Sequence, residues 1–214
     1  MAPLNEYLDY WASHVDDFGE ALLEHFALVG MVLLWSLALA AVLTLAVMRS
    51  RRAEHISVQL LSAVYSSPSL ALFSLLIPVT GLGATTAVLV MVAYNQYLLL
   101  RNVLEGLDGI DPDIVEAAVG MGMSPWQVLY RVKLPLAAPM ILAGIRLAAI
   151  STIGIATIAA TINAGGLGTI LFSGLRTMNQ YKIVGGTLLC ALVAVVADRL
   201  LKLVERVIVK RTVH

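Results

Sequence analysis

FALVGMVLLWSLALAAVLTLAVM, residues 26–48, runs through the sequence without one charged side chain. A bilayer core of about 30 Å takes about 20 helical residues at about 1.5 Å each, so this stretch is long enough to cross one. Comparable runs centre on residues 58–79, 85–104, 134–162 and 182–204, the fourth interrupted only by Arg146. Over 214 residues the chain is 59% apolar and 13% charged, against about 45–50% and about 25% in soluble domains. The runs are continuous, whereas membrane strands alternate over segments of about ten residues. The fold class expected is therefore all-α, with five transmembrane helices inside a domain spanning residues 26–205.

The flanks give this bundle a direction. Residues 1–25 hold no Lys or Arg but carry Glu6, Asp9, Asp16, Asp17, Glu20 and Glu24. Arg49, Arg51, Arg52, Arg101, Arg131, Lys133, Lys202, Arg206, Lys210 and Arg211 all fall on the other side of a five-span plan, which leaves Arg176 and Lys182 opposite them. The positive-inside rule then puts the N-terminus outside and the C-terminus in the cytoplasm, with the chain in the cytoplasmic (inner) membrane. Acids where a signal peptide needs positive charge argue against cleavage. Leu4, Tyr7, Leu8, Trp11, Val15, Phe18 and Leu22 recur at helical spacing, so residues 1–25 read as an external amphipathic helix with Tyr10 and Trp11 near the headgroups. Residues 206–214 read as a cytoplasmic tail.

The longest cytoplasmic connection, residues 111–133, carries its own punctuation. Asp111 is placed to cap a helix whose first residue is Pro112, and Gly120 and Gly122 end it. Ser124-Pro125-Trp126-Gln127 then has the spacing of a capping box. Two short helices joined by a glycine bend are expected at the membrane surface, a shape suited to docking against another protein.

Within and after that connection stand Glu116, Ala117 and Ala118, then, after three intervening residues, Gly122, then Val132, Leu134 and Pro135. This spacing resembles the EAA loop of ABC importer permeases, with Val132 where the motif has Ile. SPSLALFSLLIP (67–78), LPLAAPMILAGIR (134–146) and NAGGLG (163–168) are similar to the osmoprotectant branch, which takes up glycine betaine, carnitine and choline. The resemblance implies a type I importer-like bundle whose cytoplasmic coupling helix sits in a cleft of an ATPase. It implies two ATP-binding cassette subunits as partners, a second permease copy or paralogue, and an external solute-binding protein. ATP and Mg would then be held by the partner ATPase, with no cofactor on this chain. Importers of an amino acid or a betaine-like thiol compound are the rival solutes. A stand-alone secondary transporter is the rival class.

The residues themselves offer no enzyme constellation, since His14, His25, His55 and His214 are scattered and read as solvated or interfacial. No phosphate-binding loop with Lys and Ser or Thr is present, and no basic stripe with interleaved aromatics suggests nucleic acid. The lone Cys190 falls in the last span as an inert thiol. Tyr94, Asn95 and Gln96 lie midway along the third span, where an amide is costly unless it meets a polar partner or water. With Tyr65 and Tyr97 they are candidate solute-pathway residues, and a helix-to-helix hydrogen bond is the alternative for the amides. Gly165, Gly166, Leu167 and Gly168 open the longest external connection, which reads either as a flexible loop or as a short helix acting as an outer gate. Arg146 reads as bound to backbone carbonyls or lipid phosphate, or as pore-lining, and Asp198 and Lys202 read as an i, i+4 pair.

Overall fold

A computed structural model describes residues 3–212, with side chains through Ile208. The first ten helical residues form α1 (Leu4–Ser13), which breaks at His14 before α2 (Val15–Val47) runs for 33 residues. The helix carrying the first expected span thus begins well before residue 26. Nothing in residues 15–25 breaks a helix, so acids and apolar residues continue one rod of about 50 Å. The amphipathic segment is reduced to α1, which docks on the start of the last helix: the Trp11 indole donates to the Tyr181 carbonyl at 3.0 Å, and Tyr10 stacks on the Tyr181 ring at 5.1 Å.

The second expected span, 58–79, is not one rod. It is divided between α3 (Arg51–Ser66) and α4 (Ser69–Thr80), bent by 96° at the break. Ser67 and Pro68 both adopt extended ψ values of 143° and 132°. Pro68 explains this, because its ring pushes the preceding residue out of the helical region. The third span is α5 (Ala84–Asp108), the central helix of the bundle.

The loop contains α6 (Pro112–Gly120) and α7 (Pro125–Val128). A π-helical turn at Leu129–Lys133 then joins α7 to α8 (Leu134–Ala159), so the chain is helical without interruption from Pro125 to Ile162. The widened turn lies where Pro135 has no N–H to give and its ring crowds the preceding turn. The Leu134 N–H reaches five residues back to the Leu129 carbonyl instead. After a short 3-10 turn (Ala160–Ile162) come α9 (Leu167–Thr177) and α10 (Gln180–Thr212). The expected tail from residue 206 continues this last helix; the side chains of Lys210 and Arg211 and all of His214 lie outside the described residues.

Among the described residues, four helices are long and apolar enough to cross a membrane, and the bent pair α3–α4 makes a fifth when taken as one span. Small residues bring α5 and α8 together. A Cβ on Gly144 would stand 2.6 Å from the Asn102 Cβ, and one on Gly106 would stand 2.9 Å from that of Met140. Such close backbone approach stabilises helices in lipid, where apolar burial drives little.

Candidate functional site

The exposed loop is built from the caps that its sequence spells. Asp111 accepts the Asp113 N–H at 3.0 Å, and Ser124 and Gln127 exchange bonds of 3.4 and 2.7 Å in a capping box. Between them α6 closes on Gly122, whose φ of +82° places it in the left-handed region. The Gly122 N–H donates to the Val119 carbonyl at 2.9 Å, and the Met123 N–H to the Ala118 carbonyl at 3.2 Å. These two bonds make a Schellman motif. A Cβ at Gly122 would meet nothing within 4 Å, so backbone conformation alone selects glycine there.

The EAA triplet does not present three faces to solvent. Glu116 and Ala117 are exposed, whereas Ala118 is only 2% exposed and packs inward. Leu134 and Pro135 are half-buried where α8 begins. Beside Glu116 and Ala117 the surface is apolar: Ile114, Val119 and Met121 stand exposed, and exposed Trp126 stacks on Tyr130 with centroids 6.0 Å apart. The sequence reading missed these. Ile114, Ala117 and Met121 fall at i, i+3 and i+7, which is the periodicity of one helix face and could have revealed it.

The mid-span polar residues are brought to a joint among α2, α5 and α8. The Asn95 amide donates to Ser36 Oγ at 3.0 Å and to Thr152 Oγ1 at 2.8 Å, and Gln96 donates to the carbonyls of Ser36 at 3.3 Å and Val92 at 2.9 Å. Asn95 and Gln96 are 1% and 2% exposed, so both lie inside the protomer and line no open path within it. Tyr94 donates its hydroxyl to the Ser67 carbonyl at the α3–α4 bend. Its ring meets Tyr65 edge-on at 5.7 Å, and Tyr65 lies 5.1 Å from Tyr97. Tyr65 and Tyr97 are half-buried, and Tyr97 accepts a 2.7 Å bond from Arg101.

At the other end of the bundle the glycine cluster is clamped. Gly165 and Gly166 have φ of +83° and +81°, and the Gly166 N–H donates to the Glu24 carboxylate at 2.9 Å. A Cβ on Gly168 would stand 2.0 Å from the Thr157 carbonyl oxygen, and Leu167 is fully buried. His25, expected to be solvated or interfacial, is fully buried beneath this loop. Its burial follows from the glycine loop lying directly on α2, since a Cβ on Gly166 would stand 3.1 Å from His25 Nδ1 and 3.3 Å from its Cα. Beside the clamp lies a cavity of about 520 Å³ whose lining mixes Asp17, Glu20 and Glu24 with Arg176 and Lys182.

Arg146 is half-buried and lies 3.7 Å from Asp198 and 3.2 Å from Glu205, both on α10. Asp198 therefore turns across to α8 rather than along its helix to Lys202. Cys190 accepts a contact of 3.5 Å from Thr157 Oγ1.

The family profile described as the binding-protein-dependent transport system inner membrane component matches residues 27–213. The carnitine transport permease protein OpuCD of Listeria monocytogenes is 32% identical over 207 residues, 96% of this chain and 93% of that protein. The choline transport system permease protein OpuBB of Bacillus subtilis is 33% identical over 183 residues, 86% and 84% of the two chains. The ergothioneine transport permease/ergothioneine binding protein EgtU of Helicobacter pylori is 42% identical over 136 residues, 64% of this chain but 25% of that protein. Among solved structures, an inward-facing MetNI methionine ABC transporter chain superposes with a TM-score of 0.81 at 18% identity, covering 89% of this chain and 95% of the other. At that identity the likeness concerns the fold.

Proposed function

Because the chain belongs to the inner membrane components of binding-protein-dependent transport systems, the permease subunits of ABC importers, we propose that it provides an alternating-access path for osmoprotectants such as glycine betaine, carnitine or choline. Two nearly full-length relatives named for carnitine and choline carry the solute reading. In this reading two such permease chains, or this chain and a paralogue, stand on two ATPase subunits that hold ATP and Mg. A solute-binding protein delivers its cargo from outside, on the side of the acidic N-terminus. This chain performs no chemistry; it transmits closure of the ATPases to the bundle.

Glu116, Ala117 and the apolar side chains around them form the docking face, and Gly122 sets its angle. The uninterrupted helix from Pro125 to Ile162 supports mechanical transmission, because a push on α7 is delivered to α8 without a flexible joint. For a quaternary ammonium, the half-buried rings of Tyr65 and Tyr97 beside Tyr94 offer π faces that bind weakly enough to release. Gly165, Gly166, Leu167 and Gly168 serve as the outer gate, held shut by Glu24.

A second reading has its own support, since the 42% identity to a permease named for ergothioneine exceeds that to the carnitine and choline proteins. Ergothioneine is itself a betaine that carries a thiol. Reconstituting the chain with its ATPase and binding protein, and measuring ATP-dependent uptake of each labelled compound, decides between them. Saturable uptake of glycine betaine, carnitine or choline is expected; uptake of ergothioneine alone would replace the solute assignment.

A further inference from the structure

The glycine loop lies across two neighbouring side chains of α2. A Cβ on Gly165 would stand 2.7 Å from Glu24 Oε2, and one on Gly166 would stand 3.1 Å from His25 Nδ1. With no side chain at either position the backbone settles on both. What ties it to α2 there is the 2.9 Å bond from the Gly166 N–H to the Glu24 carboxylate, a charge-assisted one.

His25 works against that bond. Its side chain is fully buried, and neither Nδ1 nor Nε2 has a hydrogen-bond partner among the described residues. Burying a polar group without a partner destabilises the state that buries it, here the one in which the loop lies on α2. The shut loop is thus held by Glu24 and opposed by the unmet imidazole beside it.

Glu24 also lines the cavity of about 520 Å³. Asp17, Glu20 and Glu24 follow one another at helical spacing along α2, so they share a face on which like charges repel. Arg176 and Lys182 enter the lining from α9 and α10, yet none of these five charged groups forms an ion pair among the described residues. A cation in the cavity relieves the repulsion and competes with the Gly166 N–H for Glu24. The volume suits a small organic molecule, and a quaternary ammonium sheds its water more readily than a metal ion does. We propose that the quaternary ammonium head of an arriving solute takes Glu24 from Gly166 and so unlatches the loop, with the exposure of His25 favouring the open position. Such a trigger rests on the outer-gate role given to the loop above.

Hydrogen exchange at the backbone amides of residues 163–170 reads the latch on the intact chain, held in lipid nanodiscs at fixed pH. Choline chloride is compared with sodium chloride at equal ionic strength, which keeps screening constant, and with the uncharged analogue of choline that has carbon in place of nitrogen. Choline should speed exchange in this segment severalfold, and neither control should. Glu24→Gln keeps an acceptor for Gly166 but carries no charge, so its exchange should be the same with and without choline. His25→Leu fills the space without polar atoms and should slow exchange when choline is absent. No effect of choline, an equal effect of either control, or a wild-type choline response in Glu24→Gln would overturn the proposal. Faster exchange in His25→Leu would overturn the role given to the imidazole. Exchange is read without ATP turnover, so a chain that takes up choline with ATP yet shows none of these effects keeps its proposed function and loses this trigger.

Discussion

Single atoms decide several positions in this bundle. Gly168 has no room for a side chain, since its Cβ would sit 2.0 Å from the Thr157 carbonyl oxygen. Gly168→Ala should destabilise the protein by about 2 kcal/mol or more, seen as a lower melting temperature in detergent. Gly120→Ala is the control: a Cβ there meets nothing within 4 Å, and the change should leave the melting temperature equal or slightly higher. Asn95 makes a different case, because its amide joins three helices through Ser36 and Thr152. Asn95→Leu removes both bonds and leaves two hydroxyls facing a leucine, which should cost about 1–2 kcal/mol. Uptake per assembled complex should stay at the wild-type level. Reduced uptake in fully assembled, equally stable complexes would return Asn95 to the solute path.

At the scale of elements, the bend between α3 and α4 and the joint between α8 and α10 show what the sequence did and did not reveal. The caps of α6 and α7 were legible because Asp111, Ser124 and Gln127 act on backbone groups two or three residues away. The bend was read as one span because hydropathy adds across a turn, although Ser67-Pro68 held the signal. The partners of Arg146 were hidden for another reason: Asp198 and Glu205 meet it across a helix pair, and no local spacing encodes that contact. Arg146→Met should leave these two half-buried carboxylates facing a thioether. Faster amide hydrogen exchange is expected in α10 beyond residue 198, with partial recovery in Arg146→Lys. Unchanged exchange would mean that the ion contacts do not hold α10 to α8.

For the whole molecule, orientation and coupling are the decisive properties. The proposed orientation rests on charge: ten basic residues would fall on the side of the loop in a five-span plan, and six acids with no basic residue occupy the first 25 positions. In a Cys190→Ala background, Ser13→Cys should react with a membrane-impermeant thiol reagent added to intact cells. Met121→Cys, at an exposed position of the loop, should react only after the membrane is opened. The reverse pattern would invert the protein and detach the loop from any cytoplasmic partner. The proposed coupling rests on Glu116 standing exposed beside Ala117 on a helix that ends at Gly122 in the left-handed region. Its most direct measurement is the ratio of solute taken up to ATP hydrolysed, read on the same proteoliposomes for the wild-type complex, Glu116→Lys and Gly122→Val. Valine at a left-handed position costs about 1–2 kcal/mol, enough to displace the bend without unfolding the spans. Both variants should still insert in the membrane, with a ratio that falls roughly tenfold or more, the loss of about 1.4 kcal/mol of coupling. A wild-type ratio in both variants would contradict it.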